Sequence, residues 1–90
     1  ELDQKARRLS VVQPRLTSTL LRQAPATVVV IFIVDENGRV QDPKVQRTTN
    51  PSFDRSALSA IKQWKFEPAK VQGRSVSSRL RQSFSFENNT

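Results

Sequence analysis

The sequence predicts an α+β domain: a three-stranded antiparallel sheet with two helices on one face, in the order α-β-β-α-β. Three features of the chain carry that expectation. Residues 28–34 are seven consecutive β-branched or aromatic side chains, the composition of a strand covered on both faces or set at a sheet centre. Phe53, Ala57, Ile61 and Trp64 recur at helical spacing, with Leu58 and Ala60 beside the stripe. Residues 76–86 alternate, with Val76, Ser78, Leu80, Gln82, Phe84 and Phe86 on one side and Ser77, Arg79, Arg81, Ser83 and Ser85 on the other. Period two over that length means a strand with one packed face and one wet, basic face. Ninety residues make one modest core, too small for an enzyme with a large enclosed cleft.

The remaining elements follow in chain order. Residues 1–13 mix charges with a short apolar cluster at Leu9, Val11 and Val12, and read as a frayed helix or an extended lead-in to a domain covering 14–90. In residues 14–23, Leu16, Leu20 and Ala24 share a helical face, weakened by Thr17, Ser18 and Thr19, and Pro25 ends the helix. After the apolar strand, Asn37-Gly38 supplies the positive φ angles of a tight hairpin turn. The return strand at 39–48 contains Pro43, which cannot donate to a ladder and places it at a sheet edge or on a bulge. Asn50-Pro51 caps and starts the second helix, and Pro68 closes it. Residues 71–74 form a turn before the last strand. With the apolar run central, 76–86 becomes an edge. A long, Pro-free edge strand exposes a row of main-chain donors and acceptors that aggregates, is blocked, or receives a partner strand.

Composition removes most chemistry. There is no His, Cys, Met or Tyr, so thiol and imidazole nucleophiles, Cys or His zinc sites and disulfides are excluded, and no cofactor or metal is implied. Asp35, Glu36 and Asp42 are close enough in sequence for a carboxylate pair, but solvated turn acids explain them more simply. Asp54 suits the positive end of a helix. Gly38 and Gly73 do not form a phosphate-cradling loop. No window reaches the ~18 apolar residues of a membrane span. The chain starts at Glu1 rather than Met, so it is expected to be a piece of a longer protein.

Fifteen Lys and Arg against eight Asp and Glu give a net charge of +7, which favours acidic partners. Arg74, Arg79 and Arg81 raise nucleic acid as one of them. Phe84 and Phe86 lie on the opposite side of the strand from those arginines, however, and a stacking platform needs both on one exposed surface. Phe84, Phe86 and Trp64 therefore read as core.

The segments Phe32-x-Val34-x-x-Asn37-Gly38-Arg39-Val40, Phe53-Asp54-x-x-Ala57 and Trp64-Lys65-Phe66-Glu67-Pro68 together resemble the C-terminal domain of TonB-family energy transducers. The similarity runs over residues 16–86. The chain keeps a Gln13-Pro14 lead-in but lacks the Tyr-Pro pair common in the family, and it has Pro43 where an apolar strand residue is usual. The resemblance implies a periplasmic domain, held to the inner membrane by a segment outside this chain. It implies coupling to an ExbB–ExbD-type complex through regions likewise outside it, and no enzymatic activity. The ligand would be an extended peptide, the TonB box of an outer-membrane receptor for active uptake such as that of iron siderophores. That peptide would pair with the last strand along Ser75, Val76, Ser77, Ser78, Arg79, Leu80, Arg81, Gln82, Ser83 and Phe84, with Gln13 as a lead-in contact. Two alternatives stay open: a domain whose last strand pairs with its own copy in a homodimer, and, last, a basic nucleic-acid-binding module.

Overall fold

The computed structural model describes residues 3–87. Its strands are β1 (Arg7–Ser10), β2 (Ala26–Val34), β3 (Val40–Thr48), β4 (Lys65–Glu67), β5 (Ala69–Val71), β6 (Arg74–Val76) and β7 (Ser78–Phe86). Its helices are α1 (Ser18–Leu21) and α2 (Asp54–Ile61), the latter entered through a 3-10 turn at Pro51–Phe53. The principal sheet is antiparallel in the order β3-β2-β7, so the apolar run is central and the last strand is an edge, as the sequence predicts. Two small ladders, β1-β4 and β5-β6, complete the strand pairing, and the molecule measures 48 Å along its longest axis. Among the described residues no helix is long and apolar enough to cross a membrane.

One core lies between the sheet and α2. Pleating sends Val28, Val30, Phe32 and Val34 to one side of β2, where they meet Phe53, Ala57, Ile61 and Trp64. Phe84 and Phe86 of β7 close the same cluster, Phe86 stacking tilted on Phe53 with ring centres 4.8 Å apart. Leu16 and Leu20, flanking and within α1, pack against this cluster, so both helices serve one face. Burying such side chains stabilises by roughly 1.5–3 kcal/mol each, which makes this contact the main source of stability.

Local geometry departs from the sequence-based expectation at four places. The first helix is a single turn, capped where the Thr17 hydroxyl accepts from the Leu20 N–H, because three Ser and Thr residues favour caps over helix interior. The hairpin turn puts only Gly38 at positive φ (81°), not Asn37. Asp35 organises the turn instead: its Oδ1 accepts from the main-chain N–H groups of Asn37 and Arg39, both at 2.9 Å.

The second helix stops at Ile61, seven residues before Pro68, and Lys65–Glu67 is extended. Glu67 precedes a proline, which disfavours helical backbone, and the Phe66 N–H finds the Gly38 carbonyl at 2.9 Å. Trp64 is still buried, delivered by the turn after the helix rather than by the helix itself. Finally, residues 69–71 and 74–76 form a small hairpin that periodicity did not show, with Gln72 and Gly73 both at positive φ.

Pro43 behaves as expected on both counts: β3 is an edge, and its register against β2 shifts twice. Asp42 beside it adopts φ 53°. The lead-in is extended. Arg7 and Arg8 pair with Glu67 and Phe66, and Gln4 bridges to Lys70. The Trp64 indole N–H donates to the Val12 carbonyl at 2.9 Å, so the lead-in is fastened across the buried ring.

Candidate functional site

An antiparallel strand alternates between residues whose N–H and C=O face one neighbour and residues that face the other. Thr27 gives both its main-chain groups to Thr49 on the β3 side, accepting from the Thr49 N–H at 3.0 Å and donating to its hydroxyl at 2.9 Å. Even-numbered positions of β2 therefore face β7. Their partners across that ladder are Ser78, Leu80, Gln82, Phe84 and Phe86. The main-chain groups of Arg79, Arg81, Ser83 and Ser85 must then point outward, and among the described residues no strand pairs with them. The same alternation buries Phe84 and Phe86 against the core while the four outward-facing residues are exposed.

A groove runs beside the last part of this edge. Its floor and one wall come from Trp64 and residues 82–87, and its other wall from Arg8, Val11, Gln13, Pro14 and Leu16. Val11 is 48% exposed and gives that wall an apolar surface without being part of the core. Arg8 lies over the Trp64 ring, its guanidinium carbon 6.0 Å from the ring centre, and keeps a cation at the groove rim. Within the groove the Gln82 side-chain amide donates to the Ser83 carbonyl at 2.9 Å, occupying one outward acceptor from its own strand.

The predicted peptide-binding residues separate by position. Ser78, Arg79, Leu80, Arg81, Gln82, Ser83 and Phe84 are in β7. Ser75 and Val76 are in β6, paired with Lys70 and Ala69, and Ser77 is the joint between the two strands. Gln13 lines the groove opposite residues 82–87. Sequence reasoning omitted Ser85, which continues the outward row, and the wall formed by Arg8 and Val11. The alternation of 76–86 already contained Ser85; the wall has no sequence signal, because it depends on the lead-in being tied down by Trp64 and β4.

The acids near the hairpin do not converge on one site: Asp35 holds the turn, whereas Asp42 is an exposed residue at the side of a shallow groove on the sheet. Asp35 accepts the two turn N–H groups and the Gln41 side-chain amide at 2.9 Å. The Arg39 main-chain N–H first, and Gln41 second, lower its pKa below the ordinary carboxylate value. Asp42 lies 3.7 Å from Lys44, with both side chains exposed. Glu67 accepts from Arg7 at 3.0 Å and from Gln4 at 2.5 Å, and Arg7 then Gln4 lower its pKa.

A three-stranded antiparallel sheet packed on one face by helices, ending in an edge strand whose outer side no other strand pairs with among the described residues, defines a small α+β domain. The chain belongs to the family described as Gram-negative bacterial TonB protein C-terminal, whose model matches residues 20–87. It is similar to the protein TonB of Xanthomonas campestris pv. campestris, strains B100 and ATCC 33913, at 35% identity over 60 residues. Those matches cover 66% of this chain and 27% of each relative, so the chain spans about a quarter of their length. Its structure is similar to the solution NMR structure of the Pseudomonas aeruginosa TonB CTD, with a TM-score of 0.77 and 25% identity. That match covers 94% of this chain and 88% of the other.

Proposed function

We propose that this chain is the periplasmic, receptor-binding domain of an energy transducer, and that the outer edge of β7 receives the TonB box of an outer-membrane receptor as an added strand. The unpaired outward row of Arg79, Arg81, Ser83 and Ser85 is the observation that carries this reading. Family membership supports the class of partner. Segments outside this chain would hold it to the inner membrane and couple it to an ExbB–ExbD-type complex, so that ion-motive force pulls on the receptor.

The energetics suit a reversible pull. About four to six main-chain hydrogen bonds at roughly 0.5–1.5 kcal/mol net each give several kcal/mol before ordering costs, which corresponds to micromolar rather than picomolar affinity. A force along the strand loads those bonds together in shear. Main-chain pairing tolerates varied box sequences, as one transducer serving several receptors requires. Gln13, Val11 and Arg8 flank the incoming strand and supply what side-chain selectivity there is. The incoming strand displaces the Gln82 amide from the Ser83 carbonyl as it docks.

The test is a titration of labelled protein with box peptides from candidate receptors, followed by backbone amide shifts. Shifts at 79–86 and at Gln13 are expected. Ser83→Pro removes an outward N–H without breaking the β2 ladder and is expected to abolish binding. Ser77→Pro, at the joint outside the strand, is expected to leave it intact. Full binding by a folded Ser83→Pro variant would overturn the reading. The same open edge also suits pairing with a second copy of the chain; sedimentation over a range of concentrations separates the two, since a monomer leaves the edge free for peptide.

A further inference from the structure

We propose that the open face of the sheet, opposite α2, is a second docking surface, and that it takes an acidic protein segment carrying aliphatic side chains. The odd-numbered side chains of β2 (Val29, Ile31 and Ile33) point to the side opposite α2, where Ile31 and Ile33 are half-buried and Val29, only 6% exposed, is covered by its neighbours. Strand register sets their neighbours: Arg47 and Ser83 beside Val29, Lys44 and Arg81 beside Ile31, Gln41 and Arg79 beside Ile33. The result is an aliphatic spine whose accessible part, Ile31 and Ile33, is roughly 7 Å long at about 3.3 Å per residue, with Lys44 and Arg47 on one side and Arg79 and Arg81 on the other.

Three of those cations, Arg47, Arg79 and Arg81, form no ion pair among the described residues. Lys44 has one, with Asp42 at 3.7 Å. Ile31, Ile33, Lys44, Arg79 and Arg81 line one shallow groove, with the half-buried isoleucines as its floor and the longer, exposed cations on its rim. Asp42 beside Lys44 is the one carboxylate among the described residues of that lining, so the cations outnumber it three to one.

The charge sets the sign of the occupant, and the floor decides its class. A phosphate-bearing surface, whether lipid headgroups or nucleic acid, would engage the rim and leave the recessed aliphatic floor empty. A polypeptide with acidic and aliphatic side chains meets both, its carboxylates reaching the cations on either side while its apolar groups fill the strip between them. This surface uses side chains on the sheet face, whereas the β7 edge uses main-chain groups, so it stands whether or not the edge binds a box peptide.

The experiment compares three probes at about 0.15 M salt. They are a soluble peptide of about ten residues alternating Glu and Leu, long enough to cover the spine, an all-Glu peptide of the same charge, and phosphatidylglycerol vesicles. The alternating peptide is expected to shift the amides of Ile31, Ile33, Lys44 and Arg47 and to bind about tenfold tighter than the all-Glu peptide. Lys44→Glu with Arg47→Glu is expected to weaken it by about tenfold or more, while Lys44→Arg with Arg47→Lys restores it. Both positions are on β3, the strand farthest from the outer edge of β7, so box-peptide titrations should be unaffected by either pair. Shifts confined to residues 79–86, equal affinity for the all-Glu peptide, or vesicle binding without peptide binding would each overturn the proposal.

Discussion

Gly38 shows how one residue joins two parts of the fold. Its φ of 81° closes the hairpin, and a Cβ built there would sit 1.9 Å from the Phe66 carbonyl oxygen. Gly38→Ala must therefore move β4 as well as strain the turn, and is expected to cost about 2 kcal/mol or more in chemical denaturation. Trp64 is a second such joint. Trp64→Phe keeps an aromatic ring in the core but leaves the Val12 carbonyl without its donor. A loss of about 1 kcal/mol is expected, together with faster hydrogen exchange at residues 7–10. Asp35 and Glu67 give the fold an acid limit, since both carboxylates have lowered pKa values when folded. Their contributions are complete above the unfolded value of about 4 and disappear as pH falls below it through the folded values. Melting temperature should drop below pH ~4, and Asp35→Asn should flatten that drop. An unchanged profile in Asp35→Asn would show that the turn bonds do not favour the ionised form.

Among the elements, the two edges of the principal sheet are treated differently. The β3 edge is interrupted by Pro43, by Asp42 at positive φ and by two register shifts, all of which discourage a further strand. The β7 edge carries no proline and pairs with β2 in unbroken register from Ser78 to Phe86. That asymmetry is why the Ser83→Pro and Ser77→Pro comparison is informative: one position is inside the regular edge and the other is at its joint with β6. The second helix illustrates how elements end. Its apolar stripe predicted a helix running to Pro68, yet the pairing of β4 with β1 and with Gly38 outcompetes the last turn. Local periodicity identified the buried side chains correctly and misplaced the backbone that delivers them.

At the scale of the whole molecule, the net charge of +7 acts through where it is placed. Arg79 and Arg81 extend from the strand whose edge is open, and under the proposed function they would steer an acidic partner toward it. Association rates with a receptor-derived peptide are expected to fall as salt rises from about 0.05 to 0.5 M, while dissociation, governed by main-chain bonds, changes little. A dissociation rate that tracks salt as strongly would place the binding energy in side-chain charge rather than in the ladder.

The chain alone determined the central strand, the edge position of its last strand, the buried faces of both and the capped start at Asn50. Each follows from hydrophobic period and turn chemistry within about ten residues, where the physics is local. Only the tertiary structure decided the short β1-β4 and β5-β6 ladders, the early end of α2 and the wall of Arg8, Val11 and Gln13 beside the edge. Residues 7–10 meet 65–67 across more than fifty intervening positions. Three- and four-residue strands carry too little periodicity to be read alone, and become stable once Trp64, Gly38 and Glu67 bring their partners into hydrogen-bonding distance.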